Sequence, residues 1–452
     1  MKQQKAFGLW SAVSLGIGSM VGAGIFIVIG EAGVIAGNLV TVSFLIGGII
    51  ALLCGYSLSK LSIRYPSRGG ITEYLVQAYG EGYFSGSLGV LFYFAQLVTL
   101  AAVAKSFGTY AATYMVGGIT PFYANFFAVA IVLLFVGINL VGAAMVARAE
   151  NFIVIIKISA LIVFTAAALF FIQPANLALA EAPDFVNVFY ALGLTFFAFQ
   201  GFSVITNSVE DMENPGHTML RSMFLAIGLV VLLYIAVSVA VFGNLSLDAI
   251  IKGKDFALAE AARPAFGDWG FKIMAATALL ATASAINATL YAVTQISYTL
   301  AREGNLPAAY DRNIFHNTEG LIISALLIVP VILFFNLAQI ATIAAIAVLL
   351  IQGFTHSGHL LKRDETGGNL WWILAAVVGS FGAAAFAIVY ASNSMPLIVY
   401  YVPGIFFLAF VFEVLLRLFS DRKIEKQIIS EFENIEKSVL KKFNLREKQS
   451  ET

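Results

Sequence analysis

The chain has 452 residues, is 60% hydrophobic and only 12% charged, and balances its basic residues against its acidic ones. Its mean hydropathy of +0.89 and its recurrent uncharged runs exclude an ordinary soluble domain and predict an all-α integral membrane protein. Zero formal net charge leaves no footprint for nucleic acid, and the single cysteine, Cys54, excludes an intrachain disulfide and a cysteine-rich metal site.

No cleavable leader is predicted. Lys2 and Lys5 precede an apolar stretch far longer than a signal-peptide core, and no small-residue cleavage site ends it. About twelve membrane spans follow, each roughly 20 residues or longer. They are placed near 8–30, 38–63, 83–115, 121–140, 150–173, 186–208, 219–243, 269–300, 319–337, 339–361, 370–391 and 395–419.

The first span contains GSMVGAGIF, Gly18 to Phe26. Glycine weakens a helix by about 1 kcal/mol relative to alanine. Gly18 and Gly22 form a GxxxG pair, which suits close helix packing, but the cluster also suits a helix break. Non-helical backbone survives at membrane depth where protein or a water-filled cavity surrounds it. The sixth span holds a second irregular segment, TFFAFQGFSVITN, with Gln200 and Gly201 at its centre. An odd number of spans per repeat inverts the second copy, and paired interruptions at matching positions mark the binding site of an inverted-repeat transporter. Residues 1–173 and 186–361 therefore read as two inverted five-helix repeats, followed by two further spans over 370–419.

Two such breaks suit a zwitterion. Free amides at the start of a half-helix attract an anion, and carbonyls ending one attract a cation. A substrate carboxylate is expected on the amides of Val21, Gly22, Ala23 and Gly24. Its ammonium is expected on carbonyls of Met20 and of Phe197, Ala198, Phe199 and Gln200.

Basic residues set the orientation. With the amino terminus inside, the outer side holds only Lys252, Lys254, Arg263 and Lys272, while Lys105 and Lys157 fall within spans. All other lysines and arginines are inside, which predicts a multi-pass protein of the cell membrane with both termini cytoplasmic. Residues 420–452 leave the bilayer. Ile424, Ile428, Phe432, Ile435, Val439 and Phe443 line one face of an amphipathic helix, and charges of both signs argue against a polybasic lipid anchor. This tail is expected against the protein's own inner face or against another chain.

With these motifs in view, the chain resembles an amino acid permease of the amino acid–polyamine–organocation (APC) superfamily, with the LeuT-like inverted-repeat fold, over about residues 8–420. The pieces are GSMVGAGIF, YPSRGGITEY after span two, FFAFQGF with the trailing EDMENP, and AREGNLP after span eight. AKSFGTY in span three and ARAENFIVIIK entering span five are similar to the ApcT-type proton-coupled, broad-specificity permeases. The resemblance implies substrate carboxylate on Ala23 and Gly24, ammonium on Met20, Phe197 and Gln200, and Phe197 as a gating aromatic. Many relatives carry a glutamate after the break in span six, where this chain has Ser203, so coupling through that carboxylate does not apply.

Lys157, inside span five, is a functional candidate by default. The plainer reading is snorkelling to the inner surface. The resemblance implies that it stands where sodium-coupled relatives hold Na⁺, reaching carbonyls near Gly18 and the hydroxyl of Ser284, and that it gains and loses a proton. Snorkelling is expected for Lys105, and interfacial placement for His356 and His359. Glu413 and Arg417 are spaced to pair, and Glu210, Asp211 and Glu213, at the inner end of span six, are expected either to pair with basic inner loops as part of a gate or to form a solvated acidic turn.

The functional expectation is a secondary transporter importing amino acids with protons, without sodium, metal or cofactor. An exchanger or a polyamine carrier is the alternative within that class. A channel or a non-transporting nutrient sensor is the alternative outside it, but no filter-like motif or signalling domain stands in the chain. HExxH and GxSxG motifs are absent, so no catalytic residue is assigned and an enzyme is not expected.

Overall fold

The computed structural model describes residues 8–22, 24–67, 69–116, 118–141, 144–178, 183–212, 214–315, 317–394, 404, 407 and 409–415, with backbone alone for 144–151 and 394. Apart from a two-residue hairpin pairing Asn313–Ile314 with Asn317–Thr318, the described secondary structure is helical. This follows from the solvent: at membrane depth a helix satisfies every backbone polar group internally.

The chain opens with α1 (Leu9–Met20) and α2 (Gly24–Ala36), separated by a short gap, and continues into α3 (Val40–Arg64). The short α4 (Ile71–Tyr79) precedes α5 (Tyr83–Ala112), α6 (Pro121–Val141) and α7 (Ala144–Ala168). Next come α8 (Val186–Tyr190) and α9 (Leu192–Phe197), followed by a 3₁₀ stretch, Gln200–Asp211. Pro215 then opens α10 (Pro215–Asn244), where its missing N–H is no loss. Two short helices, α11 (Leu247–Lys252) and α12 (Ala257–Glu260), lead to α13 (Arg263–Arg302), kinked at Gly267. The last are α14 (Glu319–Phe334), α15 (Leu337–Leu361), α16 (Arg363–Thr366) and α17 (Leu370–Ser394). A reciprocal cap between Asn336 and Gln339 fixes the start of α15.

Among the described residues, nine helical stretches are long and apolar enough to cross a membrane; α1 and α14 are apolar but shorter. The expected last span, 395–419, and the tail, 420–452, lie mostly or wholly outside the described residues, as does Arg417, the expected partner of Glu413.

Small residues set the helix spacing. A Cβ at Gly108 of α5 would overlap Ala124 O and crowd Ala128 of α6. α5 also packs on α13 and α15, α10 on α1 and α3, and α15 on α17. The segment after α10 folds back onto α2. Lys254 Nζ lies 3.1 Å from both carboxylate oxygens of Glu31, which is 5% exposed, and Gly30 leaves no room for a side chain beneath Lys254 O. Gly108→Val should therefore pry α5 from α6. Overpacking of this kind costs about 1–3 kcal/mol, so thermal unfolding of the detergent-solubilised full chain should shift down, and an unchanged midpoint would contradict the packing.

Candidate functional site

The first break begins after Met20. Val21 N still donates to Ile17 O at 2.8 Å, but the Val21 ψ of 32° turns the chain out of the helix. The helix resumes at Gly24, and Ala23, an expected carboxylate-binding residue, lies outside the described residues. The second interruption differs from the gap expected at Gln200–Gly201. α9 ends at Phe197, Phe199 N bonds to Phe196 O at 2.9 Å, and the chain tightens into 3₁₀ geometry from Gln200 to Asp211. Such helices seldom exceed three or four residues, and a long mid-span run marks a hinge or strain.

The two interrupted segments lie backbone to backbone. A Cβ at Gly24 would overlap Ala198 O, and one at Gly201 would overlap Ser19 and crowd Met20 N. Glycine at both positions permits the contact. Gly22 faces Ala285 and Ala281 of α13. Met20, Val21, Phe197, Ala198 and Phe199 are all buried, and Gln200 Oε1 is buried without a hydrogen-bond partner.

Tyr234 of α10, fully buried, joins the two segments. Its hydroxyl donates to Met20 O at 2.7 Å and lies 3.3 Å from Ala198 O, while its ring packs on Phe199 at 5.1 Å. Two of the carbonyls expected to meet a substrate ammonium thus share a protein donor. Sequence reasoning missed this residue, because a tyrosine in an apolar span carries no signal of what its hydroxyl meets.

Lys157 sits on α7, which starts at Ala144, earlier than expected, so the lysine lies roughly 20 Å along the helix. At 1% exposure it does not snorkel. Its Nζ donates to Gly18 O at 2.8 Å and lies 3.5 Å from Ser284 Oγ of α13. Gly18 O is among the last carbonyls of α1, which lack intrahelical donors and form the negative end of that helix. One ammonium thereby ties α1, α7 and α13.

Other ionisable side chains depart from expectation. Lys105 is 9% exposed and bonds Asn125 Oδ1 and, at 2.8 Å, Ile332 O; a carbonyl at the end of α14 holds it inside. His356 and His359 are wholly buried rather than interfacial, because α15 turns both toward Ser57 of α3, at 2.8 and 2.7 Å. Glu213 of the acidic turn lies outside the described residues. Tyr234→Phe should leave Met20 O and Ala198 O short of a donor. A buried group left unsatisfied costs about 1–3 kcal/mol, so the midpoint of unfolding should fall and amide exchange around residues 20–24 should quicken. Unchanged exchange would show that the hydroxyl does not hold the break.

Comparison with known proteins gives the family. The family model described as "Amino acid permease" matches residues 7–427. An uncharacterized protein of Methanocaldococcus jannaschii is 33% identical over 422 residues, covering 93% of this chain and 97% of that one. The inner membrane transport protein YbaT of Escherichia coli is 35% identical over 76% of this chain and 81% of its own length. The branched-chain amino acid permease BcaP of Bacillus subtilis is 25% identical over 68% and 70%. With its apolar membrane-length helices and a family match over nearly its whole length, the chain belongs to the amino acid permease family of the APC superfamily: it is a membrane transport protein and not an enzyme.

Proposed function

We propose that this protein is a proton-coupled amino acid symporter of the ApcT-like type, working by alternating access in the cell membrane with both termini in the cytoplasm. On this reading it has twelve spans, the first ten forming a 5+5 inverted repeat. The observation that carries the proposal is the buried Lys157 ammonium on Gly18 O and beside Ser284 Oγ. A carbonyl at the C-terminus of α1 and a hydroxyl from mid-α13 are hard oxygen donors, which would equally suit a small cation. Here a tethered cation takes them, so a proton on Lys157 replaces a bound sodium ion.

The substrate binds by its α-groups. Amides of Gly22 to Gly24 take the carboxylate, that of Val21, expected to join them, being spent on Ile17 O; carbonyls of Met20 and of Phe197 to Gln200 take the ammonium. The contact of Gly24 with Ala198 and of Gly201 with Met20 supports this arrangement, since it sets donors of one break against acceptors of the other. An arriving ammonium replaces the Tyr234 hydroxyl on Met20 O, one donor for another. Phe197 gates the site. Amino acid substrates are further supported by the naming of the B. subtilis relative as a branched-chain amino acid permease. In the cycle, charged Lys157 holds α1, α7 and α13 together, and loss of its proton releases them.

Two outcomes follow. Replacing Na⁺ by choline at constant pH should leave amino acid uptake into proteoliposomes unchanged, while collapse of an inward proton gradient should abolish accumulation; strict sodium dependence would refute the proposal. Lys157→Ala should insert and fold, because it removes a buried charge, yet lose proton-driven accumulation. Lys157→Arg should lose it too, since a guanidinium keeps its proton. Near-normal accumulation by the arginine variant under an imposed pH gradient would remove Lys157 from coupling.

A further inference from the structure

The two histidines on α15 share one hydroxyl, and hydrogen-bond arithmetic fixes the direction of every bond around it. Thr366 Oγ1 spends its single proton on Arg363 O at 3.0 Å. It therefore accepts from His359 Nε2, 2.8 Å away, which must carry hydrogen. A neutral ring then has a bare Nδ1, and Ser57, at 2.7 Å, donates its only proton there. Ser57 must in turn accept from His356 Nδ1–H at 2.8 Å. His356 Nε2 is left bare, buried and without a hydrogen-bond partner.

The surroundings offer the rings no counter-ion. No described carboxylate bonds either ring, and Lys60, three residues after Ser57 on α3, is itself a cation. On α3, Cys54 meets Ser380 and Tyr56 accepts from Asn369 N. On α4, Tyr79 donates to Phe354 O and Glu73 accepts from Gln77. Glu365 of α16 is taken by Arg64, Tyr65 and Lys362. α9 and α17 carry no charged residue, and those of α5 and α2, Lys105 and Glu31, are engaged at Ile332 and Lys254.

One turn before His356, Gln352 is 1% exposed, and both its amide nitrogen and its amide oxygen lack partners. Buried polar atoms in this condition are commonly satisfied by internal water. Gln352 lies about 14 Å of helix from the end of α15, close to half of a ~30 Å hydrocarbon core. Thr366, at the other end, is partly exposed.

We propose that Gln352, His356, Ser57, His359 and Thr366 form a single-proton wire from mid-membrane to the surface beside Lys362 and Arg363. The proposal rests on the proton-coupled reading above and supplies a path to the surface for the coupled proton. A proton carried by water at Gln352 adds to His356 Nε2. The His356 Nδ1–H bond breaks as its proton passes to Ser57 Oγ, the Ser57 O–H proton passes to His359 Nδ1, the His359 Nε2 proton passes to Thr366 Oγ1, and the Thr366 O–H proton leaves Arg363 O for solvent. One proton enters, one leaves, and every residue ends neutral. The reversed chain passes no second proton in that direction until the rings release Ser57, so the wire moves protons singly.

Full-length protein in liposomes tests this with Ser57→Ala, which cuts the wire, and Ser57→Thr, which keeps a hydroxyl. Counterflow at equal pH reports carrier integrity without net proton movement. Ser57→Ala should keep counterflow within about twofold but lose pH-driven accumulation at least about tenfold, a floor set below the roughly 10²–10⁴-fold that a positioned proton-transfer group supplies, and Ser57→Thr should restore it. Accumulation by Ser57→Ala equal to wild type overturns the wire. An equal fall in counterflow and accumulation also overturns it, leaving a clasp between α3 and α15. A wild-type protein that never accumulates with the pH gradient removes the coupling reading and the wire together. Independently of transport, ¹⁵N NMR of histidine-labelled protein should show a neutral Nδ1–H ring that disappears in His356→Gln. If none of the four histidines is protonated on Nδ1 alone, the wire is wrong, whatever the transport assays give.

Discussion

Hydrocarbon offers no hydrogen bonds, so each backbone amide and carbonyl released from a helix at membrane depth must find its partner within the protein. Two interruptions in one chain violate helical self-sufficiency twice, and the structure meets the demand by bringing them together. Gly24 and Gly201 bring one backbone against the other, and the Tyr234 hydroxyl serves a carbonyl from each. The second interruption also limits its own exposure. By tightening to 3₁₀ geometry instead of unwinding, Gln200–Asp211 keeps local hydrogen bonds while changing the direction of its carbonyls.

The same demand governs the charges. Lys157 meets the carbonyl end of α1, and Lys105 a carbonyl at the end of α14. Each finds the place on a neighbouring helix where acceptors are left over. An ammonium held this way is both a bond between helices and a charge that can be withdrawn by deprotonation. The proposed transport cycle uses that double character at Lys157, where three helices converge.

Much of the architecture was legible because membrane-spanning segments are written in long apolar runs, and because glycine clusters inside such runs conflict with helix stability. GSMVGAGIF raised the break at Gly18–Gly24 on those grounds. The form of the second interruption was less legible: FFAFQGF signals irregularity, but α, 3₁₀ and open backbone share one composition. Partner identity was least legible. Snorkelling was the natural expectation for Lys105, and an interfacial position for His356 and His359. Both failed because exposure depends on which neighbouring helix offers an acceptor, and single-chain periodicity does not say. Tyr234 was invisible for the same reason. The early start of α7 at Ala144 decided the case of Lys157, by placing it too deep to reach water.

The pairing of Glu31 with Lys254 bears on how motion is to be observed. A nearly buried carboxylate on α2 is held by an ammonium from the segment between α11 and α12, and Gly30 seats the backbone of that segment directly on the helix. Pulling them apart would strand the carboxylate in an apolar setting, so the two are mechanically one piece. A spectroscopic label on the accessible segment at residues 247–256 would therefore follow the second half of the first span, without any probe placed inside the bilayer.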